Sequence, residues 1–184
     1  MKIEKTHIQD LIIITPNVFE DERGFFMESY KKDDFEKLGI KNEFVQDNHS
    51  KSKKNIVRGL HFQWEKPMAK LMRVTAGEAF VVAVDIRKKS KTFGKWHGIT
   101  ISAENKLQVF APAGFARGFC SLVDDTEVQY KCTALYNKEA ESGILYNDPF
   151  IGIEWPLSNP DLSEKDAHAM TLSEWAKKKE SDYF

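Results

Sequence analysis

The run Ala79 to Ile86, AFVVAVDI, is apolar at odd and even positions alike except for Asp85. A strand with that pattern has no face to give to water, so a layer must lie against each side of it. Further short β-rich runs broken by turns surround it between Ile56 and about Tyr136, notably LMRVTAGEAFVVAVDIR, TFGKWHGITIS and EVQYKCTALY. The chain is therefore expected to be mainly β, a jelly roll built as a double-sheet β-barrel with short peripheral and C-terminal helices. With 184 residues, 41% of them hydrophobic, one domain spanning 1–184 can bury roughly two-thirds of its unfolded surface. The barrel core is expected at about 45–155. Tyr30 to Leu38 reads as a short helix with Asp33 as candidate N-cap and Gly39 as its stop. Ser163 followed by Asp166 resembles a second N-cap arrangement, and Ser173 to Lys179 carries helix formers ending in lysines.

Charge excludes some partners. Lys and Arg total 27 against 28 Asp and Glu, a formal net charge of -1, so no global field recruits nucleic acid or an anionic membrane. The longest apolar run near the N-terminus, Leu11 to Ile14, is too short for a signal peptide core, and a cytoplasmic location is expected. Cys120 and Cys132 lie in apolar strand contexts without CxxC spacing and read as structural thiols in a reduced compartment.

The candidate chemistry begins in VRGLHFQ, Val57 to Gln63. In a regular strand Gly59, His61 and Gln63 share one face while Leu60 and Phe62 take the other. A later strand puts Val128, Tyr130, Cys132 and Ala134 on one side, with Glu127, Gln129, Lys131 and Thr133 opposite. A tyrosine among small apolar neighbours can project into a cavity, although a core tyrosine and a satisfied buried histidine fit the pattern equally well. Lys70 in KLMRV shares its face with Met72 and Val74, an uncomfortable setting for an ammonium unless something anionic meets it. Arg23, Glu28, Gln46, Asn48, Arg58 and Arg117 are further polar groups in apolar or turn contexts, and separated arginines suit a diphosphate or carboxylate. No P-loop or dinucleotide fingerprint is present. A metal site in a barrel usually takes two ligands from one strand as HxH. His61 is instead followed by Phe62 and Gln63, and His7, His49, His97 and His168 are scattered singly, so no metal or other cofactor is expected.

Taken together the motifs DERGFF, QDNHS, VRGLHFQ, KLMRV, VVAVDIRKKSKTFGKW, PAGFARGF, YKCTALY, ESGILYNDP, IEWP and LSEKDA resemble, in order, those of the dTDP-4-dehydrorhamnose 3,5-epimerase family of the cupin superfamily. The resemblance implies a cupin-type jelly roll that inverts C3 and C5 of a nucleotide-diphospho 4-keto-6-deoxy sugar without cofactor, in the service of surface polysaccharide synthesis. It implies His61 as base, Asp166 as the group that orients it, Tyr130 as acid on the opposite face and Lys70 toward the enolate. Arg23, Glu28, Gln46, Asp47, Asn48, Arg58, Glu141 and Lys165 match substrate-contacting positions, and Tyr136 resembles an aromatic position near the nucleotide base. The family resemblance also implies a homodimer with exchanged N-terminal strands.

The chemistry itself asks for such a cast. A C4 ketone acidifies the C–H bonds at C3 and C5, the carbanion needs a stabilised enolate oxygen, and inversion needs proton-handling groups on both faces of the ring. One departure stands out: where the family pattern reads GFAHGF, this chain has Arg117. Arginine adds fixed charge and cannot switch protonation near neutrality, and it is expected to hydrogen-bond a hydroxyl or phosphate. The departure keeps a GDP-linked 4-keto heptose, epimerisation at C3 alone, 3,4-ketoisomerisation and non-catalytic sugar-nucleotide binding open as alternatives.

Overall fold

The structure is a computed structural model describing residues 1–184. In chain order its strands are β1 (Lys2–Lys5), β2 (Ile12–Thr15), β3 (Val18–Asp21), β4 (Gly24–Met27), β5 (Gln46–Ser52), β6 (Val57–Gln63), β7 (Lys70–Ala76) and β8 (Glu78–Asp85). There follow β9 (Trp96–Ser102), β10 (Gln108–Ala111), β11 (Phe115–Ser121), β12 (Thr126–Cys132) and β13 (Glu141–Gly143). Short helices α1 (Lys32–Lys37), α2 (Glu164–Ala167) and α3 (Leu172–Lys177) complete the fold with a terminal 3-10 turn, Lys179–Tyr183.

Two antiparallel sheets face each other, one in the order β1-β2-β10-β7-β12-β5 and the other β13-β6-β11-β8-β9. Their hydrogen-bonded ladders stop at these edges, so the expected barrel is corrected to two open sheets that do not close into one ring. The six-stranded sheet also reaches back to Lys2, well outside the expected core of about 45–155, because the N-terminal strands complete a wall that would otherwise leave β10 as a bare edge.

The opening pattern finds its explanation in three apolar layers. Ala79, Val81 and Ala83 point between the sheets, where they meet Met72, Val74, Val109, Phe119 and Val128. Val82, Val84 and Ile86 point the other way, under Leu172 and Trp175 of α3. The C-terminal segment thus supplies the second cover, with the Trp175 ring edge-on to Phe62 at 4.6 Å between centroids. Beyond the six-stranded sheet, Phe35 of α1 and Ile40 pack on Ile14, Leu71 and Phe110.

Capping differs in detail from the sequence reading. Helix α1 starts two residues earlier than an Asp33 cap would allow: Lys31 is its N-cap, without a side-chain bond, and Asp33 lies in the first turn, where a carboxylate favours the helix dipole instead. Ser163 does cap α2 by accepting from the Asp166 N–H. Helix α3 is started by Thr171 through a capping box with Glu174.

Strands β6 and β11 bring VRGLHFQ and GFARGF side by side, with His61 opposite Arg117 and a register shift before the Phe119–Arg58 pair. Their glycines are the reason the backbones can approach. A Cβ on Gly59, whose φ is +133°, would lie 2.6 Å from the Gly118 Cα, and one on Gly118 would lie 2.7 Å from the Arg58 carbonyl oxygen. Neither position has room for a side chain.

Candidate active site

His61 sits on the five-stranded sheet, on the interior side of β6. Its Nε2 is 2.5 Å from an Asp166 carboxylate oxygen, which leaves Nδ1 as the ring nitrogen free for a substrate. Asp166 is brought there by the chain folding back along β6: Val57 donates to the Asp161 carbonyl and Asp161 to that of Asn55, and the Ser163 cap then turns α2 inward. The other Asp166 oxygen accepts from the Gly59 N–H at 3.3 Å. Burial by itself would raise this carboxyl, whose side chain is only 6% exposed, but bonds from His61, Gly59 and Ser163 outweigh it and hold the group below its ordinary range. An anion fixed on Nε2 selects the tautomer that carries its proton there and leaves Nδ1 basic.

Tyr130 and Lys70 belong to the opposite wall. In the six-stranded sheet Tyr130 pairs with Met72 and Asn48, while Lys70 pairs with Cys132, so the period of two turns Lys70, Tyr130, Cys132 and Asn48 to one side. The Lys70 ammonium lies over the Tyr130 ring at 4.7 Å. Burial raises the Tyr130 phenol, partly offset by Asn48, Arg117 and Arg58, so it carries its proton at neutral pH. Burial, then the charge of Arg117, pulls the Lys70 ammonium down to about 8.

Arg117 joins the walls. It is 4% exposed, starts on β11 beside His61 and reaches across to donate from Nη1 to the Met68 carbonyl at 2.9 Å, just before β7. Its Nε is buried with no partner.

The remaining predicted residues divide. Around the same opening, Glu141 on β13 bonds Lys165 and, at 2.8 Å, the Tyr136 hydroxyl. Gln46 accepts from the Tyr136 N–H and donates to Asn48. Burial would raise the Glu141 carboxyl, but Lys165, Tyr136 and His61 together bring it below its usual range. Arg58 donates to Ser52 and to the Lys51 carbonyl. A cavity of about 610 Å³ bordered by His61, Lys165, Asp166 and His168 opens beside this cluster.

Three residues stand apart. Asp47 has the parity opposite to Gln46 and Asn48 and pairs with Lys131 at 3.0 Å on the outer side of its sheet. Arg23, at the tip of the β3–β4 hairpin, bonds only Asp21, and Glu28 lies 3.5 Å from Lys31. Within one chain neither joins the His61 cluster.

Sequence reasoning passed over Gln63. Its amide nitrogen donates to the Lys66 and Leu135 carbonyls and its oxygen accepts from the Asn137 N–H, so it holds the segment that carries Tyr136. A buried amide on the same strand face as His61 was the available signal. Elsewhere Cys120 and Cys132 are free and buried, and no three His, Cys, Asp or Glu side chains converge as a metal site requires.

A two-sheet sandwich with a carboxylate-held imidazole on one sheet and a part-buried phenol and an ammonium on the other has the groups that an isomerase of acid–base type needs. A family profile described as dTDP-4-dehydrorhamnose 3,5-epimerase matches residues 5–174, and the chain belongs to that family. It is similar to the dTDP-4-dehydrorhamnose 3,5-epimerase of Shigella flexneri, 53% identical over 186 residues, with 100% of this chain and 99% of the relative covered. Among solved structures it is similar to the dTDP-6-deoxy-D-glucose-3,5-epimerase of Legionella pneumophila in complex with dTDP-4-keto-L-rhamnose, at a TM-score of 0.91 and 49% identity over 94% of this chain and 93% of that one. It is also similar to a 3'-monoepimerase from Streptomyces bikiniensis in complex with dTDP-quinovose, at a TM-score of 0.86 and 31% identity, covering 91% and 86%.

Proposed function

We propose that this chain is a cofactor-independent 3,5-epimerase of a dTDP-linked 4-keto-6-deoxy sugar, working through an enolate on a cupin-type jelly roll. One observation carries the reading: the group suited to take a proton, His61, and the group suited to give one, Tyr130, stand on different sheets. Facing sheets lie about 10 Å apart, the width of a sugar ring with a polar group on each side. His61 Nδ1 removes the proton from C3 or C5, and the C–H electron pair forms a C=C bond to C4 while the carbonyl pair moves onto oxygen. Lys70 stabilises that oxygen, and Tyr130 returns a proton to the opposite face. Arg58 and Lys165 at the opening suit the diphosphate, Tyr136 the nucleotide base, and Gln46, Asn48 and Glu141 the remaining polar contacts of the substrate.

Incubation with a dTDP-linked 4-keto-6-deoxyhexose in deuterated water is expected to put solvent deuterium at both C3 and C5 of an inverted product, read by proton NMR. Because a 3'-monoepimerase shares this fold, label at C5 is the decisive signal. Label at C3 alone would identify a mono-epimerase, carbonyl migration a ketoisomerase, and no label a binding protein.

The working unit in this reading is a homodimer. The β3–β4 hairpin is a separate two-stranded sheet with Phe19, Phe25 and Phe26 exposed at 63%, 56% and 65%, and isolated hairpins of that kind are marginal without a partner surface. Packed on a second copy, it carries Arg23 and Glu28 toward that copy's opening. A Phe25→Ser, Phe26→Ser double variant is expected to sediment as a monomer and to bind dTDP more weakly. A dimer of unchanged affinity would disprove the exchange. No helix is long and apolar enough to cross a membrane, and the buried free thiols suit a reduced cytoplasm.

A further inference from the structure

Arg117 is a buried cation without a counter-anion. Its side chain has one acceptor, the neutral Met68 carbonyl, and an Nε with none. Beside it is Lys70, which makes no salt bridge and whose ammonium rests on the Tyr130 ring. The groups that face Lys70 are Arg117 from β11, Tyr130 and Cys132 from β12, and Glu141 from β13. Among these Glu141 is the only carboxylate, and it is already held by Lys165 and Tyr136. A pair of neighbouring cations kept from water in this way costs folding free energy, and an anion arriving between them recovers it.

We infer that Arg117 is a second cationic donor to the ring-ketone oxygen, closing with Lys70 around the enolate. The inference rests on the epimerase reading and adds a residue to it. A diphosphate stays at the exposed opening, whereas Arg117 is 4% exposed and tied to the Met68 carbonyl, two residues before Lys70, so its guanidinium is held inside beside that ammonium. The anion formed there is the one the reaction itself makes. As the C–H proton passes to His61, the carbonyl π pair becomes an oxygen lone pair facing both cations. When Tyr130 reprotonates the carbon, that pair re-forms C=O and the charge is gone. Arg117 forms and breaks no covalent bond. Burial pulls its guanidinium down to about 10, which leaves it charged throughout the neutral range, while its repulsion is one reason that Lys70 titrates at about 8.

The test compares wild type with Arg117→Met and Arg117→Lys on a dTDP-linked 4-keto-6-deoxyhexose, following kcat, KM, the pH profile, dTDP affinity and thermal unfolding of the free enzyme. Arg117→Met is expected to lower kcat about 100-fold with dTDP affinity unchanged, and Arg117→Lys to restore part of the loss. Activity needs the Lys70 ammonium, so the wild-type rate falls as pH rises through about 8. In Arg117→Met that limb moves to higher pH because a like charge has been removed, and the free enzyme melts at a higher temperature. A variant with unchanged kcat and an unmoved limb overturns the inference. So does a rise in KM and weaker dTDP binding at constant kcat, which would assign Arg117 to the diphosphate. A lower melting temperature with an unmoved limb also overturns it, making Arg117 a strut between the sheets. If the wild type itself exchanges no deuterium, the epimerase reading fails first.

Discussion

His61→Asn should bind dTDP as the wild type does, yet incorporate no solvent deuterium at C3 or C5, with kcat lowered about 10³-fold or more. The size of the effect follows from His61 being the imidazole that Asp166 holds. Its side chain is 30% exposed, and asparagine fills most of that space without offering a basic nitrogen. Asp166→Asn should approach the same loss by a different route, since the amide can hold the ring but supplies no charge to the imidazolium formed on proton abstraction. Acid unfolding separates the two variants. The Asp166 carboxyl is raised by burial but lowered further by His61, Gly59 and Ser163, so its folded value lies below the unfolded one. Its contribution to stability is therefore present above roughly pH 4 and is lost as pH falls through the folded value. Asp166→Asn should flatten that part of the acid-unfolding curve, measured by circular dichroism. Epimerisation by His61→Asn near the wild-type rate would remove His61 from the mechanism.

Tyr130→Phe should uncouple exchange from inversion. The phenol is the proton donor on the far wall. Without it, His61 can still take the proton and return one from solvent to the same face, so recovered starting sugar should carry deuterium at its original configuration while inverted product falls about 10²-fold or more. The ring that supports the Lys70 ammonium at 4.7 Å survives the change, as does packing against the inter-sheet core, so the variant should fold. Burial keeps the native phenol protonated, which makes it an acid throughout the neutral range and excludes it as the resting base. Chiral analysis of the labelled sugar reads the result directly. Inversion at both carbons at the original rate would assign the proton delivery to another group.

Much of this arrangement was legible in the chain. The period of two in VRGLHFQ, KLMRV and EVQYKC turned His61, Lys70 and Tyr130 inward, since parity along a strand is a local property of the backbone. The doubly apolar Ala79–Ile86 run required cover on both faces and received it from the opposite sheet and α3. The Ser163–Asp166 cap was readable because its bond spans a single turn. Parity also separates Asp47 from its neighbours Gln46 and Asn48, which face the other way, whereas the motif resemblance carries the three together.

What residue order alone determined was therefore the element type, the inward set on each strand and the family to which the motifs belong. Tertiary structure decided which of those sets meet. The His61–Asp166 bond spans 105 positions, the buried Arg117 guanidinium finds its acceptor in the Met68 carbonyl 49 positions away, and the open edges of both sheets appear only once register is set. Side-chain alternation repeats every two residues and carries no information about such distances. They are settled by which apolar faces pack together, and that choice belongs to the whole chain.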